Sequence, residues 1–188
     1  MAKAIFLDRD GTLNRETGYL CDWSAWQWLP GVPETLALLG RHGYKLVVVT
    51  NQSGLARGFY NAESVKRLHE LMNRDLAARN AAIHAFYYCP HHPDFTGPCA
   101  CRKPRPGMLL RAAAEMSLNR AQSWMIGDKA LDMEAGLAAG CRSVLVRTGY
   151  GRRDEGRVPA SIHVADDLAA AAAHILRDDA ETVWGSLR

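Results

Sequence analysis

The sequence predicts a three-layer α/β fold, a central parallel sheet with helices on both faces. Three observations carry this. Short continuous apolar runs alternate with amphipathic segments along the chain, the pattern of strands buried on both sides. Gly43 and Gly140 stand where helices should stop before a strand. The apolar runs end in carboxylates, hydroxyls or amides, as strands do when their carboxyl ends form the ligand-binding edge of an open sheet. A length of 188 residues predicts one domain over 1–188, long enough to bury a substantial core without disulfides.

The first predicted strand, Ala4–Leu7, stops abruptly at Asp8-Arg9-Asp10-Gly11-Thr12. Strand alternation turns Asp8 and Asp10 to the same side, so they can share one site. Asn14–Leu29 has no clear period and carries Trp23, Trp26 and Trp28, which could form a substrate wall or pack into the core. A helix is expected at Val32–Arg41, then a strand at Lys45–Thr50 that gives way to Asn51-Gln52-Ser53-Gly54. Ala62–Ala78 reads as a helix and Ala85–Cys89 as a strand. Cys89–Pro106 is a loop rich in Pro, Cys, His and basic residues, followed by a helix at Pro106–Met116. A strand at Ser123–Ile126 ends in Gly127-Asp128-Lys129 and leads to a helix at Leu131–Ala139. Strands at Ser143–Val146 and Ile162–Val164 and a helix at Asp167–Ile175 complete the order. The tail Asp178–Arg188 is expected to be disordered.

Composition narrows the functional classes. The chain is 48% apolar and 23% charged, which excludes wholesale disorder. A net charge of +3 is too small to argue for nucleic acid. Basic residues gather at Arg102, Lys103, Arg105 and Arg111 and again at Arg147, Arg152, Arg153 and Arg157, either as solvated surface or as the mouth of an anion site. No apolar stretch is long enough to span a bilayer, and the N-terminal apolar run is too short for a signal peptide, so a cytoplasmic protein with no membrane partner is expected. Five cysteines, an odd number, do not suggest a disulfide framework.

Four strand ends carry groups suited to phosphoryl transfer: Asp8 with Asp10, Thr50, Lys103 and Asp128. A carboxylate such as Asp8 can attack phosphorus and divide hydrolysis into two steps. Two anions then approach each other, so a divalent cation is needed, and oxygen ligands from Asp8 and Asp128 select Mg2+. Asp10 is placed to protonate the leaving oxygen and then deprotonate water. The Thr50 hydroxyl and Lys103 ammonium would hold the phosphoryl oxygens. Asp132, one helical turn beyond Asp128, is either a supporting residue or a helix-surface carboxylate.

The loop from Cys89 to Cys101 supplies a second metal site. Cys89 and His91 are two apart, as are Cys99 and Cys101, so in extended backbone each pair projects to one side. Together they make a closed Cys3His set that suits structural Zn2+, with His92 pointing away. Such a metal would staple the loop and place Arg102 and Lys103. The loop lacks the aromatic-interleaved basic surface of a nucleic-acid zinc module.

The ordered motifs Asp8-x-Asp10-Gly11-Thr12, Thr50, Lys103 and Gly127-Asp128 resemble the haloacid-dehalogenase (HAD) phosphotransferases over about the first 150 residues. Cys89-Pro90-His91-His92-Pro93, Cys101-Arg102-Lys103-Pro104-Arg105-Pro106-Gly107-Met108, Ile126–Met133 and Val144–Gly149 extend the resemblance, over nearly the full chain, to the histidinol-phosphatase-like subgroup and its sugar-bisphosphate phosphatases. The resemblance implies a Rossmann-like three-layer HAD fold with a zinc loop. It implies Asp8 as nucleophile, Asp10 as acid/base and metal ligand through its backbone carbonyl, Thr50 and Lys103 as phosphate binders, and Asp128 as a Mg2+ ligand. Implied substrate contacts are Asp8, Arg9, Asp10, Glu16, Thr17, Gly18, Tyr19, Thr50, Asn51, Gln52, Ser53, Arg102, Lys103 and Lys129. The implied reaction is a phosphatase step on a heptose bisphosphate, in making nucleotide-activated heptose for lipopolysaccharide core or surface glycoconjugates. Arg102 would recognise the distal part of that substrate.

Only 39 residues separate Asp10 from Thr50, so a large cap domain is not expected, and a monomer with an open site is. Histidinol phosphate is the alternative substrate. Its cationic amine would call for an acidic pocket, whereas Arg102, Arg105 and Lys129 favour a doubly anionic sugar. A non-enzymatic phosphosugar regulator would lack one of the two carboxylates, and both are present. A nucleic-acid-end phosphatase would show a stronger basic track.

Overall fold

The computed structural model describes the backbone of residues 1–185 and the side chains through residue 181. Six parallel strands make one sheet: β1 (Ala4–Leu7), β2 (Lys45–Asn51), β3 (Ala85–Cys89), β4 (Trp124–Gly127), β5 (Arg142–Val146) and β6 (His163–Ala165). Their order is β3-β2-β1-β4-β5-β6. The order reverses between β1 and β4, and the crevice at such a reversal is where open α/β sheets bind ligands.

Strand alternation sorts the apolar residues into two layers. Ile5, Leu7, Leu46, Val48, Ile126 and Val144 turn to one face. There α1 (Val32–Arg41), α2 (Ala62–Ala77) and α7 (Leu168–Gly185) cover them with Leu36, Leu39, Leu68, Met72, Ala171 and Ile175. Ala4, Phe6, Val47, Val49 and Met125 turn the other way, against Leu109 and Ala112 of α4 (Gly107–Glu115) and Ala135 of α5 (Ala130–Ala138). The continuous apolar runs of the sequence are thus strands covered on both sides. Two short helices, α3 (Pro93–Thr96) and α6 (Gly151–Asp154), lie in loops.

Register sets the site. Leu7 is level with Val48 on one side and Ile126 on the other, and the Asp8 amide donates to the Ile126 carbonyl at 2.9 Å. The residues that follow these three strands therefore emerge side by side.

Element ends shift from the sequence expectation by a residue or two. Pro106 caps α4 instead of entering it, and Asp167 stays outside α7, its side chain accepting the Ala170 amide at 2.8 Å. The larger correction is at the C-terminus. The expected end at Ile175 and disorder from Asp178 give way to a helix that continues to Gly185. Its reason is electrostatic: Arg142 pairs with Asp178 and Asp179, and Asp179 also accepts from Lys3 Nζ and Tyr44 Oη, each at 2.6 Å. Residues 186–188 of that tail lie outside the described residues.

The tryptophan segment packs into the core. Trp23 and Trp26 stack with ring centroids 5.8 Å apart, Trp28 meets Trp26 edge-on at 4.8 Å, and the Trp28 indole donates to Asp75 at 2.8 Å. Between β1 and α1 there is only loop and one 3-10 turn, Trp23–Ala25, so no large cap stands over the sheet edge.

Candidate active site

At the carboxyl end of β1, Asp8 is almost fully buried and accepts from Lys103 Nζ at 2.8 Å. The Lys103 ammonium also pairs with Asp132 Oδ1 at 2.6 Å. Asp132 is fully buried, so the helix-surface reading of this residue is excluded. Its other oxygen accepts the Lys129 amide at 3.1 Å, at the start of α5. Asp154 of α6 reinforces that start by accepting the Ala130 amide at 2.9 Å. Asn51 ties β2 to the loop after the cysteines through two backbone contacts with Lys103, each 3.1 Å.

Asp128 is fully buried; Oδ2 accepts the Tyr150 amide at 2.9 Å while Oδ1 has no hydrogen-bond partner. Gly11 and Gly149 make room for it, since a Cβ on either would sit 2.2 Å from Asp128 Oδ2. Carboxylate oxygens of Asp8, Asp128 and Asp132 lie within 4.8 Å of one another. Three buried carboxylates thus face two ammonium groups, Lys103 and Lys129. Burial, and then the charge of Asp8, push Asp128 up to about 8; burial likewise raises Asp132 to about 6. Asp8 behaves oppositely: burial works against its charge, but Lys103 and Lys129 hold it below the ordinary carboxylate range. A buried oxygen without a hydrogen bond, with the Lys129 ammonium 3.7 Å away, and three carboxylates against two ammonium groups fit a hard divalent cation held by Asp8 and Asp128.

In front of these groups is a cavity of about 390 Å³, within the range for small-molecule sites. Asp8, Asp10, Glu16, Gly18, Tyr19, Thr50, Asn51, Gln52, Ser53, Arg102, Lys103 and Lys129 line it. Two expected contacts are not among the lining residues: Thr17, which is exposed, and Arg9, which is fully buried behind Asp10. Arg105 is not among them either; its guanidinium donates to the Cys99 carbonyl at 2.8 Å. The second basic cluster is a surface ion-pair group in which Arg147 binds Glu155 and Asp166. Tyr60, Leu131 and Tyr150 line the cavity and were not expected. Tyr150 follows β5, and its place after a strand end is a signal present in the sequence. Tyr60 carries no sequence signal.

The donor atoms of Cys89, His91, Cys99 and Cys101 all lie within 4.8 Å of one another. The sulfurs are 3.6, 3.2 and 3.4 Å apart, and His91 Nδ1 is 3.4 Å from Cys101 Sγ. A disulfide needs about 2.05 Å. Four ligands on one zinc, with Zn–S of about 2.3 Å, stand about 3.8 Å apart, so the cluster has the size of a closed tetrahedral site. His92 is directed elsewhere and caps α3. Cys101, the last of these donors, precedes Arg102, whose guanidinium donates to the His91 carbonyl at 3.0 Å.

A parallel sheet with paired carboxylates after β1, a hydroxyl after β2, a lysine braced by an acid, and a further buried acid after β4 defines a HAD-like hydrolase. Residues 100–171 match the family model described as HAD-hydrolase-like. The chain is 44% identical to the D-glycero-beta-D-manno-heptose-1,7-bisphosphate 7-phosphatase of Pasteurella multocida, over 90% of this chain and 94% of that one. It is 47% identical to the enzyme of that name from Yersinia pestis, over 84% and 87%. Its structure superposes with a TM-score of 0.87 on the D,D-heptose 1,7-bisphosphate phosphatase of B. bronchiseptica, crystallised with magnesium and phosphate, at 37% identity over 94% of this chain and 99% of that one. The chain belongs to the heptose-1,7-bisphosphate 7-phosphatase family of phosphoric monoester hydrolases. The histidinol-phosphate alternative is not favoured by these relatives.

Proposed function

We propose that this protein removes the 7-phosphate of D-glycero-D-manno-heptose 1,7-bisphosphate, in the synthesis of nucleotide-activated heptose. The observation that carries the reading is the pair of carboxylates, Asp8 and Asp10, on one cavity, with Lys103 held against Asp8 at 2.8 Å.

An Asp8 oxygen attacks phosphorus as the bond from phosphorus to the sugar oxygen breaks, leaving an aspartyl phosphate. Asp10 gives its proton to the departing oxygen. In the second step Asp10 takes a proton from water, which attacks phosphorus and frees Asp8. Lys103 and the Thr50 hydroxyl hold the phosphoryl oxygens, and Asp132 fixes Lys103. Mg2+ bound by Asp8 and Asp128, with the Asp10 carbonyl, would neutralise phosphoryl charge. Zn2+ on Cys89, His91, Cys99 and Cys101 would fix the loop that carries Arg102. The Arg102 guanidinium is suited to the distal phosphate, and Glu16, Gly18, Tyr19, Ser53 and Lys129 to the sugar. No helix among the described residues is long and apolar enough to cross a membrane.

The test is phosphate release with Mg2+ from both anomers of the bisphosphate and from histidinol phosphate at equal concentration. The expected result is a kcat/KM at least about 100-fold higher for the β anomer than for histidinol phosphate, a ratio that a site built around charged contacts supports. Preference for histidinol phosphate would overturn the substrate and leave the fold and chemistry in place.

A further inference from the structure

Asp10 is held more completely than catalysis by a free carboxylate requires. Its Oδ1 accepts from Arg9 Nε at 3.1 Å and from Asn14 Nδ2 at 3.0 Å. Its Oδ2 accepts from Arg9 Nη2 at 2.7 Å and from Gln52 Nε2 at 3.1 Å. Two of these donors come from one guanidinium, whose rigid fork fixes the plane of the carboxylate as well as its place.

The orientation of the Gln52 amide follows from its partners. Arg9 Nη2 and Tyr60 Oη reach one end of it, at 3.2 and 2.7 Å. Arginine can only donate, so that end is the oxygen. The NH2 end then faces Asp10 Oδ2 and also Thr50 Oγ1, at 2.9 Å. One buried amide thereby couples the acid/base carboxylate after β1 to the phosphoryl-holding hydroxyl of β2.

Stability alone does not account for this arrangement. Arg9 is fully buried and Gln52 nearly so, and burying an ion pair is close to neutral for folding once desolvation is counted. Arg9 does not line the cavity. What the arrangement does supply is alignment.

We propose that Arg9 and Gln52 are positioning residues, a buried brace that aims Asp10 at the leaving oxygen in register with Thr50; Arg9, which does not line the cavity, acts only through those side chains, and Gln52, at the cavity wall, acts on Asp10 and Thr50 through its amide. This rests on the reading of Asp10 as proton donor; the four contacts fill the acceptor sites of the ionised carboxylate, so Asp10 takes up its proton at Oδ2 in exchange for the Gln52 contact, while Arg9 keeps the carboxyl plane. In the step concerned, the proton moves from Asp10 to the ester oxygen while the phosphorus–ester bond breaks and the Asp8–phosphorus bond forms.

The brace is tested by the first-turnover rate of phenol release from a series of aryl phosphates. The series runs from 4-nitrophenyl phosphate, whose leaving oxygen departs without a proton, to phenyl phosphate, whose leaving oxygen needs one. Gln52→Glu, which keeps size and exchanges the donor for an acceptor, is compared with Arg9→Lys, Tyr60→Phe and the unaltered protein. For Gln52→Glu and Arg9→Lys the loss should grow along the series, from a few-fold to about 100-fold, the span expected for a misplaced general acid. Tyr60→Phe should show the same trend at under about 10-fold. A loss uniform across the series, no loss, or a raised KM with unchanged kcat would overturn the proposal. Should Arg9→Lys fail to fold, Gln52→Glu and Tyr60→Phe decide the matter. Turnover of the heptose bisphosphate by the unaltered protein is the separate measurement on which the substrate reading stands or falls, and the aryl series does not depend on it.

Discussion

His69 shows how much a single buried side chain can say about pH. It is 5% exposed and stacked on Phe86 with ring centroids 4.3 Å apart, and its Nε2 has no hydrogen-bond partner. Burial, followed by the positive charge of Arg9, lowers it to about 3. Below the ordinary histidine value near 6.5 the unfolded chain takes up a proton that the folded chain refuses, so stability falls as pH falls from about 6.5 towards 3. At pH 5 this amounts to about 2 kcal/mol relative to pH 7, and urea unfolding of His69→Leu should lack that acid-side loss. Asp8→Asn is expected to lower kcat by at least about 10⁴-fold while thermal unfolding shows a native, cooperative transition. That Asp8, Asp10, Thr50, Lys103 and Asp128 come together at one sheet edge was legible in the sequence, because these polar groups follow strands or, for Lys103, stand in the loop before a helix. Arg9 was misplaced because a motif match does not say which way its side chain runs. Strand alternation does say so: Arg9 lies between two site carboxylates and must turn away from them.

The loop from Cys89 to Cys101 and helix α7 are the elements where sequence reading diverged most. The four metal-type donors were legible from their spacing, although α3 interrupts the extended backbone that the argument assumed. The protein is expected to carry about one zinc per chain by elemental analysis. Cys101→Ser should lose it and, through displaced Arg102 and Lys103, drop kcat/KM by about 10- to 100-fold. Retention of zinc and full activity in that variant would remove the structural role from the loop. The continuation of α7 was not legible, because its partners Lys3, Tyr44 and Arg142 are distant in sequence. Asp179→Ala leaves the hydroxyl of the buried Tyr44 without its acceptor and should cost about 1–3 kcal/mol in chemical denaturation, with KM unchanged.

At the scale of the whole molecule, the layers and the strand positions followed from apolar runs and helical segments alone, since a strand covered on both faces leaves few other patterns. Strand order did not follow, because pairing is decided by contacts between remote segments. The same holds for the caging of Asp128 by Gly11 and Gly149 and for the brace on Asp10. The Lys3–Asp179 contact, 2.6 Å across 176 residues of chain, has a topological consequence. It brings residues near the beginning and near the end of the described fold to one place, at the start of β1, whereas the cavity lies beyond the end of that strand. A circular permutant that joins these regions by a short glycine-serine linker, with new ends opened between α2 and β3, keeps every strand and every cavity residue in its native order around the sheet. Such a rearranged chain should fold and turn over substrate within about 10-fold of the natural arrangement, since chain opening is tolerated at exposed loops distant from a site. Phosphate release would then show that catalysis here depends on where the strand ends meet in space and not on the order in which they are synthesised.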